Sequence, residues 1–327
     1  MSKVLLVATG GTIAMRKNEQ GKAVPAVSGH DLLNSLPELR REAEWVVKDF
    51  SNVASCNMSP ERMRLLALEI KSSFKDNKFK GVIITHGTDT LEETAYFLDL
   101  TISDQRPVIL TASQRDASEV DSDGPRNLKN SMLIALDERA IGRGVVIALN
   151  EAIHAARDVR KLHTSHVDAF SSGEIGALGT IDVDVLWHRK PEPTVKLDIP
   201  NKLASVPICK VYTGMMPEML GCYAKEDIDA LVIEAFGRGN VPPELVPVIK
   251  DLTSKGIPVV ITSRCLFGRT APAYGYPGGG AELEKCGAWF ASDLSTEKVR
   301  LLLSVALGQK ISLEKLKVIV QRGGVAL

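Results

Sequence analysis

Residues 81–101 read GVIITHGTDTLEETAYFLDLT. Four β-branched or aliphatic residues follow a glycine, a polar turn built on Thr85-His86-Gly87-Thr88-Asp89 comes next, and apolar residues then recur at three and four from Leu91. The period changes from that of a buried strand to that of a helix within a few residues, so the stretch predicts one βα unit. The same build appears outward from it. VLLVATGG from Val4, PVILTAS from Pro107 and GVVIALNE from Gly144 are short aliphatic runs that end on Gly, Ser or Asn/Glu. Between them, MSPERMRLLALEIKSSF from Met58 and GPRNLKNSMLIALDERA from Gly124 carry helical spacing. Ser59-Pro60 and Asp123-Gly124-Pro125 mark helix starts, with proline where its missing N–H costs nothing. Alternation of this kind predicts an α/β fold: a larger N-terminal domain with a mostly parallel sheet flanked by helices.

The segment from Trp187 to Pro207 holds four of the 16 prolines and has no sustained period, which places a linker at residues 189–207. The expected domains are therefore 1–188, catalytic, and 208–327, a smaller α/β domain read from CKVYTG, DALVIEAFGRGN, ELVPVIKDLTSKG, PVVITSRC and TEKVRLLLSVALG. A length of 327 residues suits two domains.

Charge excludes one class of function. Forty Lys and Arg balance forty Asp and Glu, so no net field draws the chain to nucleic acid or to an anionic membrane. MSKVLLVATGG is too short in its apolar run for a signal peptide, and no run approaches a bilayer span. The five cysteines are scattered without a CxxC pair, and a reduced, cytoplasmic setting is expected.

In a parallel sheet, ligands sit beyond the carboxyl ends of the strands. Two of those ends are alike: Thr9-Gly10-Gly11-Thr12, and Thr85-His86-Gly87-Thr88-Asp89. Each places a Thr hydroxyl directly after a Gly, where backbone can approach a substrate and N–H groups can face an oxyanion. A tight turn with a capping Thr would have the same sequence.

ATGGTIA (Ala8–Ala14), THGTDTLEETAYFLDLT (Thr85–Thr101), DGPRNL (Asp123–Leu128), RDVRK (Arg157–Lys161) and EAFGRGN (Glu234–Asn240) together resemble the bacterial L-asparaginase family, which includes glutaminase-asparaginases. The resemblance runs through essentially the whole chain. It implies amide hydrolysis in two steps: a Thr hydroxyl attacks the side-chain amide carbon, ammonia leaves, and water releases the acyl-enzyme as a carboxylic acid. The residues themselves leave open which hydroxyl attacks first; the resemblance puts the nucleophile on Thr12. It puts a second cluster on Thr88, Asp89 and Lys161, where a Lys beside an Asp can move protons at a hydroxyl without histidine. Taken alone, Lys161 would read as a solvated surface lysine, and Asp89 as the N-cap of the following helix.

The same resemblance makes Ser55 and Asp89 the clamp on the amino-acid end of the substrate, and Gly11, Thr88 and Ser113 the lining of its amide end. Cys56 departs from the family, whose members commonly carry Gln, Glu or Asp there; a thiol is a weak partner for an ammonium. A second departure lies in IAMRKNEQGKAVPAVSGHDLL, where several members have a lid Tyr. Lys22 occupies the matching region, with Tyr274 and Tyr276 in APAYGYPGGGAELE as an alternative source of a hydroxyl. Glu282 matches a Glu that touches the substrate amine from a neighbouring subunit, so a homodimer or homotetramer is expected. The wording of the lid resembles the cytoplasmic branch.

His163 and His166 have metal-like spacing, but the segment offers only Asp168 as a third ligand. GRGN and PGGG lack the spacing that nucleotide phosphates require. No metal and no cofactor are expected. The expected activity is conversion of L-asparagine to L-aspartate and ammonia. Alternatives are hydrolysis of glutamine, of a D-isomer or of an N-substituted asparagine, and a non-catalytic amino-acid-binding regulator.

Overall fold

The computed structural model describes residues 2–75 and 78–326. The chain divides into two units, one ending at Pro193 and one beginning at Thr194. The proline-bearing residues after Pro193 are bonded within the second unit: Val195 N–H donates to Gly324 O at 2.9 Å, and Ala204 N–H to Ser304 O at 3.0 Å.

The first unit is built on an eight-stranded sheet. Its spatial order is Val185–Trp187, Gly179–Ile181, Ala152–Ala155, Val145–Leu149, Val108–Thr111, Gly81–Thr85, Lys3–Gly10 and Glu44–Val53. The last five in that order are parallel. Val4–Val7, Val82–Ile84 and Val108–Leu110 are fully or almost fully buried, as a sheet covered on both faces requires. Each of these side chains contributes about 1.5–3 kcal/mol of burial free energy. Helices Pro60–Lys75, Leu91–Thr101 and Gly124–Leu136 fill the positions that the helical spacing predicts. Ser59 Oγ accepts from Arg62 N–H at 3.2 Å at the first of these.

Two features escape a reading by pattern. Glu44–Val53 pairs in parallel with Lys3–Gly10 but lies at the sheet edge, where Glu44, Lys48 and Asp49 interrupt the aliphatic run. An edge strand tolerates such charges, and they protect it from pairing with other chains. At the opposite end the sheet turns antiparallel. Asn150 and Glu151 both have positive φ, 46° and 64°, which makes the two-residue reversal that returns the chain as Ala152–Ala155.

In chain order the five parallel strands lie 2-1-3-4-5. The direction of winding therefore reverses between Lys3–Gly10 and Gly81–Thr85, and the crevice beyond the carboxyl ends at such a reversal is where α/β sheets bind ligands. The two Thr-bearing turns occupy those two ends.

The second unit has four parallel strands in simple order: Ile208–Lys210, Leu231–Ala235, Val259–Ser263 and Trp289–Phe290. Helices Val246–Ser254, Thr296–Gly308 and Leu313–Gln321 contribute Ile249, Leu252, Leu302 and Ile319 as fully buried side chains.

Candidate active site

The first strand ends in two glycines at positive φ, Gly10 at 105° and Gly11 at 83°. This turns the chain into a single 3₁₀ turn, Thr12–Ala14, and brings Gly11 against the neighbouring turn. A Cβ on Gly11 would lie 2.3 Å from Gly87 N. Only backbone without a side chain fits there. A threonine and a serine hydroxyl staple the neighbouring strand ends: Thr9 Oγ1 donates to Thr85 O at 2.9 Å, and Ser51 Oγ donates to Thr9 O at 2.9 Å. Thr12 is half-buried, and among the described residues its hydroxyl has no hydrogen-bond partner.

The second turn is fixed from below by His86, which is fully buried. Its Nδ1 lies 2.8 Å from Gly87 O and must donate to it; its Nε2, 3.0 Å from Thr94 Oγ1, then accepts. Acceptance at Nε2 needs the neutral ring, and burial pushes the imidazole down to about 4 against the opposing pull of the Gly87 carbonyl. Thr88–Thr90 forms a 3₁₀ turn that runs into helix Leu91–Thr101. Asp89 does not cap that helix: its carboxylate is exposed and faces Lys161.

Lys161 is brought in by the short hairpin of Arg160–Lys161 with Phe170–Ser171. Its Nζ donates to Thr88 Oγ1 and to Asp89 Oδ1, each at 2.9 Å. The Lys161 side chain is only 16% exposed, so it is not the solvated lysine that its charged segment suggests. Ser55 joins the same cluster. Its Oγ accepts from Asp89 N–H at 3.2 Å, and its carbonyl accepts from Thr90 Oγ1 at 2.8 Å. Cys56, next to it, is exposed.

Ser113 is buried and spends its hydroxyl on Arg115 O at 2.7 Å. Asp123 does more than begin a helix. Its carboxylate accepts from the N–H groups of Gln114 and Arg115 and from Asn127 Nδ2, all within 3.1 Å, so it holds the 113–115 loop in place. Gln114 thereby enters the cluster: its Oε1 lies 3.5 Å from Thr88 Oγ1, and its Nε2 is buried with no partner among the described residues.

Lys22 is exposed at the tip of the hairpin of Met15–Lys17 with Ala23–Pro25, with its N–H on Asn18 Oδ1 at 3.0 Å. Tyr274, Tyr276 and Glu282 belong to the second unit. The two rings lie 5.5 Å apart, and Glu282 Oε2 accepts from Gly278 N–H at 2.7 Å. His163 and His166 stack at 3.4 Å, and His163 Nδ1 accepts from backbone N–H groups. No cluster of His, Cys, Asp or Glu able to hold a metal ion occurs among the described residues. None of the described helices is long and apolar enough to cross a membrane.

Residues 3–193 match the family model described as asparaginase, N-terminal, and residues 205–319 match the glutaminase/asparaginase C-terminal domain. The chain belongs to the asparaginase family. An L-asparaginase of Bacillus licheniformis is 36% identical over 93% of this chain and 95% of its own length. A probable L-asparaginase of Deinococcus radiodurans is 38% identical over 99% and 98%. Among solved structures, a probable cytoplasmic L-asparaginase from Campylobacter jejuni superposes with a TM-score of 0.87 at 32% identity, covering 97% of this chain and 98% of that one. Thr12, Thr88, Asp89 and Lys161 lie within the motifs that carry the resemblance, and Ser55 lies outside them. Nothing local in the sequence marks Gln114 and Asp123 as site residues: PVILTASQ reads simply as a strand and its turn, and Asp123 as a cap. The adjacency of DGPRNL to that turn arises only in the fold.

Proposed function

We propose that this chain hydrolyses the side-chain amide of L-asparagine to L-aspartate and ammonia, with Thr12 as nucleophile and Thr88, Asp89 and Lys161 as the proton-handling group. The observation that carries the reading is the single Lys161 amine shared by the Thr88 hydroxyl and the Asp89 carboxylate, each at 2.9 Å. The Lys161 amine donates to Thr88 and to Asp89; a neutral lysine can take the Thr88 proton through the same contact.

In the first step Thr12 Oγ bonds to the amide carbon, and its proton passes toward the Thr88–Lys161 pair. The carbon–nitrogen bond then breaks and the amine leaves protonated as ammonia. Water adds to the resulting ester, and the carbon–Oγ bond breaks to free aspartate and restore the Thr12 hydroxyl. The free hydroxyl of Thr12 suits an attacking group. The mutual approach of Gly11 and Gly87 supports its action together with Thr88. Backbone N–H groups at Gly11 and Thr88, with the loop at Ser113, line the amide end in this reading. Ser55 and Asp89 hold the amino-acid end, with Cys56 beside them, and in a homo-oligomer Glu282 serves the amine in a neighbouring subunit's site.

A cytoplasmic homo-oligomer, dimer or tetramer, belongs to the same reading. The cytoplasmic setting is supported by the likeness to the probable cytoplasmic Campylobacter protein and checked by cell fractionation, and sedimentation tests the oligomer. A coupled ammonia-release assay across L-asparagine, L-glutamine and both D-isomers tests the activity. Release is expected to be fastest from L-asparagine; binding of amino acids without release from any amide would replace the enzyme by a regulator.

A further inference from the structure

Lys161 is held at two points, and only one of them is its amine. In the hairpin of Arg160–Lys161 with Phe170–Ser171, Leu162 N–H donates across the ladder to Ala169 O. Antiparallel residues alternate in the side to which they turn their backbone groups, so the N–H of Lys161 faces away from the ladder. A donor in that position needs another acceptor. It finds Glu92: the carboxylate Oε2 accepts from Lys161 N–H at 2.9 Å.

Glu92 lies in the first turn of helix Leu91–Thr101, four residues after Thr88 and three after Asp89. That spacing puts it on the same side of the helix start as the two groups that receive the Lys161 amine. One helix start thus grips both ends of one lysine, with backbone on Glu92 and amine on Thr88 and Asp89. The residues just before Lys161 are anchored separately. Asp158, its side chain almost fully buried, accepts from Arg157 at 3.0 Å and from Arg189 at 2.9 Å. Between that anchor and the hairpin, the Glu92 bond sets the position from which the Lys161 side chain extends.

We propose that Glu92 is a positioning residue for amide hydrolysis: its carboxylate holds the Lys161 backbone so that the amine rests on Thr88 and Asp89. The proposal rests on the role given to Lys161 above. Misplacing a reacting group by about 1 Å costs on the order of 100-fold in rate. Glu92→Ala is therefore expected to lower kcat by about 10- to 100-fold, with KM changed by less than about threefold, because Ser55 keeps its bond to the Asp89 N–H and so holds the clamp in place. Glu92→Gln keeps an acceptor oxygen at the same reach and should stay within about threefold of the parent. Glu92→Asp is one methylene short and should behave like Glu92→Ala, which supplies a second variant if alanine prevents folding.

Ammonia release is measured well below each variant's unfolding midpoint, alone and in a Lys161→Met background. There Glu92→Ala should add less than about twofold, since the two residues act as one unit. A merely structural role would give equal losses with and without Lys161, and no rescue by Gln; either result overturns the proposal. Loss of activity in Lys161→Met beside unchanged kcat in Glu92→Ala and Glu92→Asp overturns the role of Glu92 alone. Full activity in Lys161→Met removes the reading of Lys161 and this proposal with it.

Discussion

Lys161 Nζ lies 2.9 Å from Thr88 Oγ1, although 73 positions separate the two residues in the chain. The same amine meets Asp89, whose side chain is 65% exposed. An ion pair so open to water stabilises the fold by at most about 1 kcal/mol. Lys161→Met should therefore leave the unfolding free energy within about 1 kcal/mol of the parent. It should lower kcat by about 10²- to 10⁴-fold, the usual range for a lost proton-transfer group. Circular dichroism with a coupled ammonia assay checks both halves; a folded variant at full turnover would remove Lys161 from the chemistry.

The two hydroxyls should fail together. Thr12→Ala removes the hydroxyl together with the γ-methyl, Thr88→Val replaces the hydroxyl by a methyl of similar size, and each is expected to reduce turnover by about 10³-fold or more. Because the groups serve one reaction, the double variant should be little worse than the poorer single one. Multiplied losses in stopped-assay measurements would mean that the two threonines act independently.

Gly11→Ala tests the contact between the turns. The residue has φ +83°, and its added Cβ would sit 2.3 Å from Gly87 N. Backbone strain and overpacking each cost about 1–3 kcal/mol, so urea unfolding should show a loss of about 2–6 kcal/mol. Activity should fall as well, since Thr12 is the next residue. A variant as stable as the parent would mean that the two turns separate easily.

Acid should weaken the first unit through His86. Burial holds this imidazole at about 4, against 6.5 when unfolded. Above pH 6.5 the ring is neutral in both states and its two bonds are fully present. As pH falls from 6.5 toward 4, the unfolded chain gains a proton that the folded one refuses, and the loss approaches about 3 kcal/mol at the lower end. Urea titrations at pH 7.0 and 4.5 should show this drop, and His86→Gln should start less stable but lose less between the two values. An identical pH dependence in the variant would assign the acid sensitivity to other groups.

Asp158 gives a prediction about packing. Arg189 donates to its buried carboxylate and also to Gly176 O at 2.7 Å. Arg189→Ala leaves Asp158 with Arg157 alone and frees a carbonyl, at an expected cost of about 2–4 kcal/mol. Thermal unfolding with the midpoint unchanged would show that water takes over the vacated bonds.

The sequence by itself determined the βα units, the split of apolar runs between two units and the turns that carry Thr12 and Thr88. These follow from short-range period and from glycine placed where the chain must bend, and both are written along a few consecutive residues. Edge and antiparallel strands were less legible. Glu44–Val53 carries charges that an edge tolerates, and Gly179–Ile181 is too short to show a period.

Tertiary structure alone decided which turns meet. The strand order 2-1-3-4-5 makes neighbours of Lys3–Gly10 and Gly81–Thr85, and so of Gly11 and Gly87. It also decided that Asp123 holds Gln114 near Thr88, and that Lys161, in a segment that reads as solvated surface, points its amine into the cluster. The physical reason is that strand pairing and hairpin placement are settled by burial summed over the whole sheet. Lys161 and Thr88 are brought together by those long-range contacts, and no local pattern at either residue records the other.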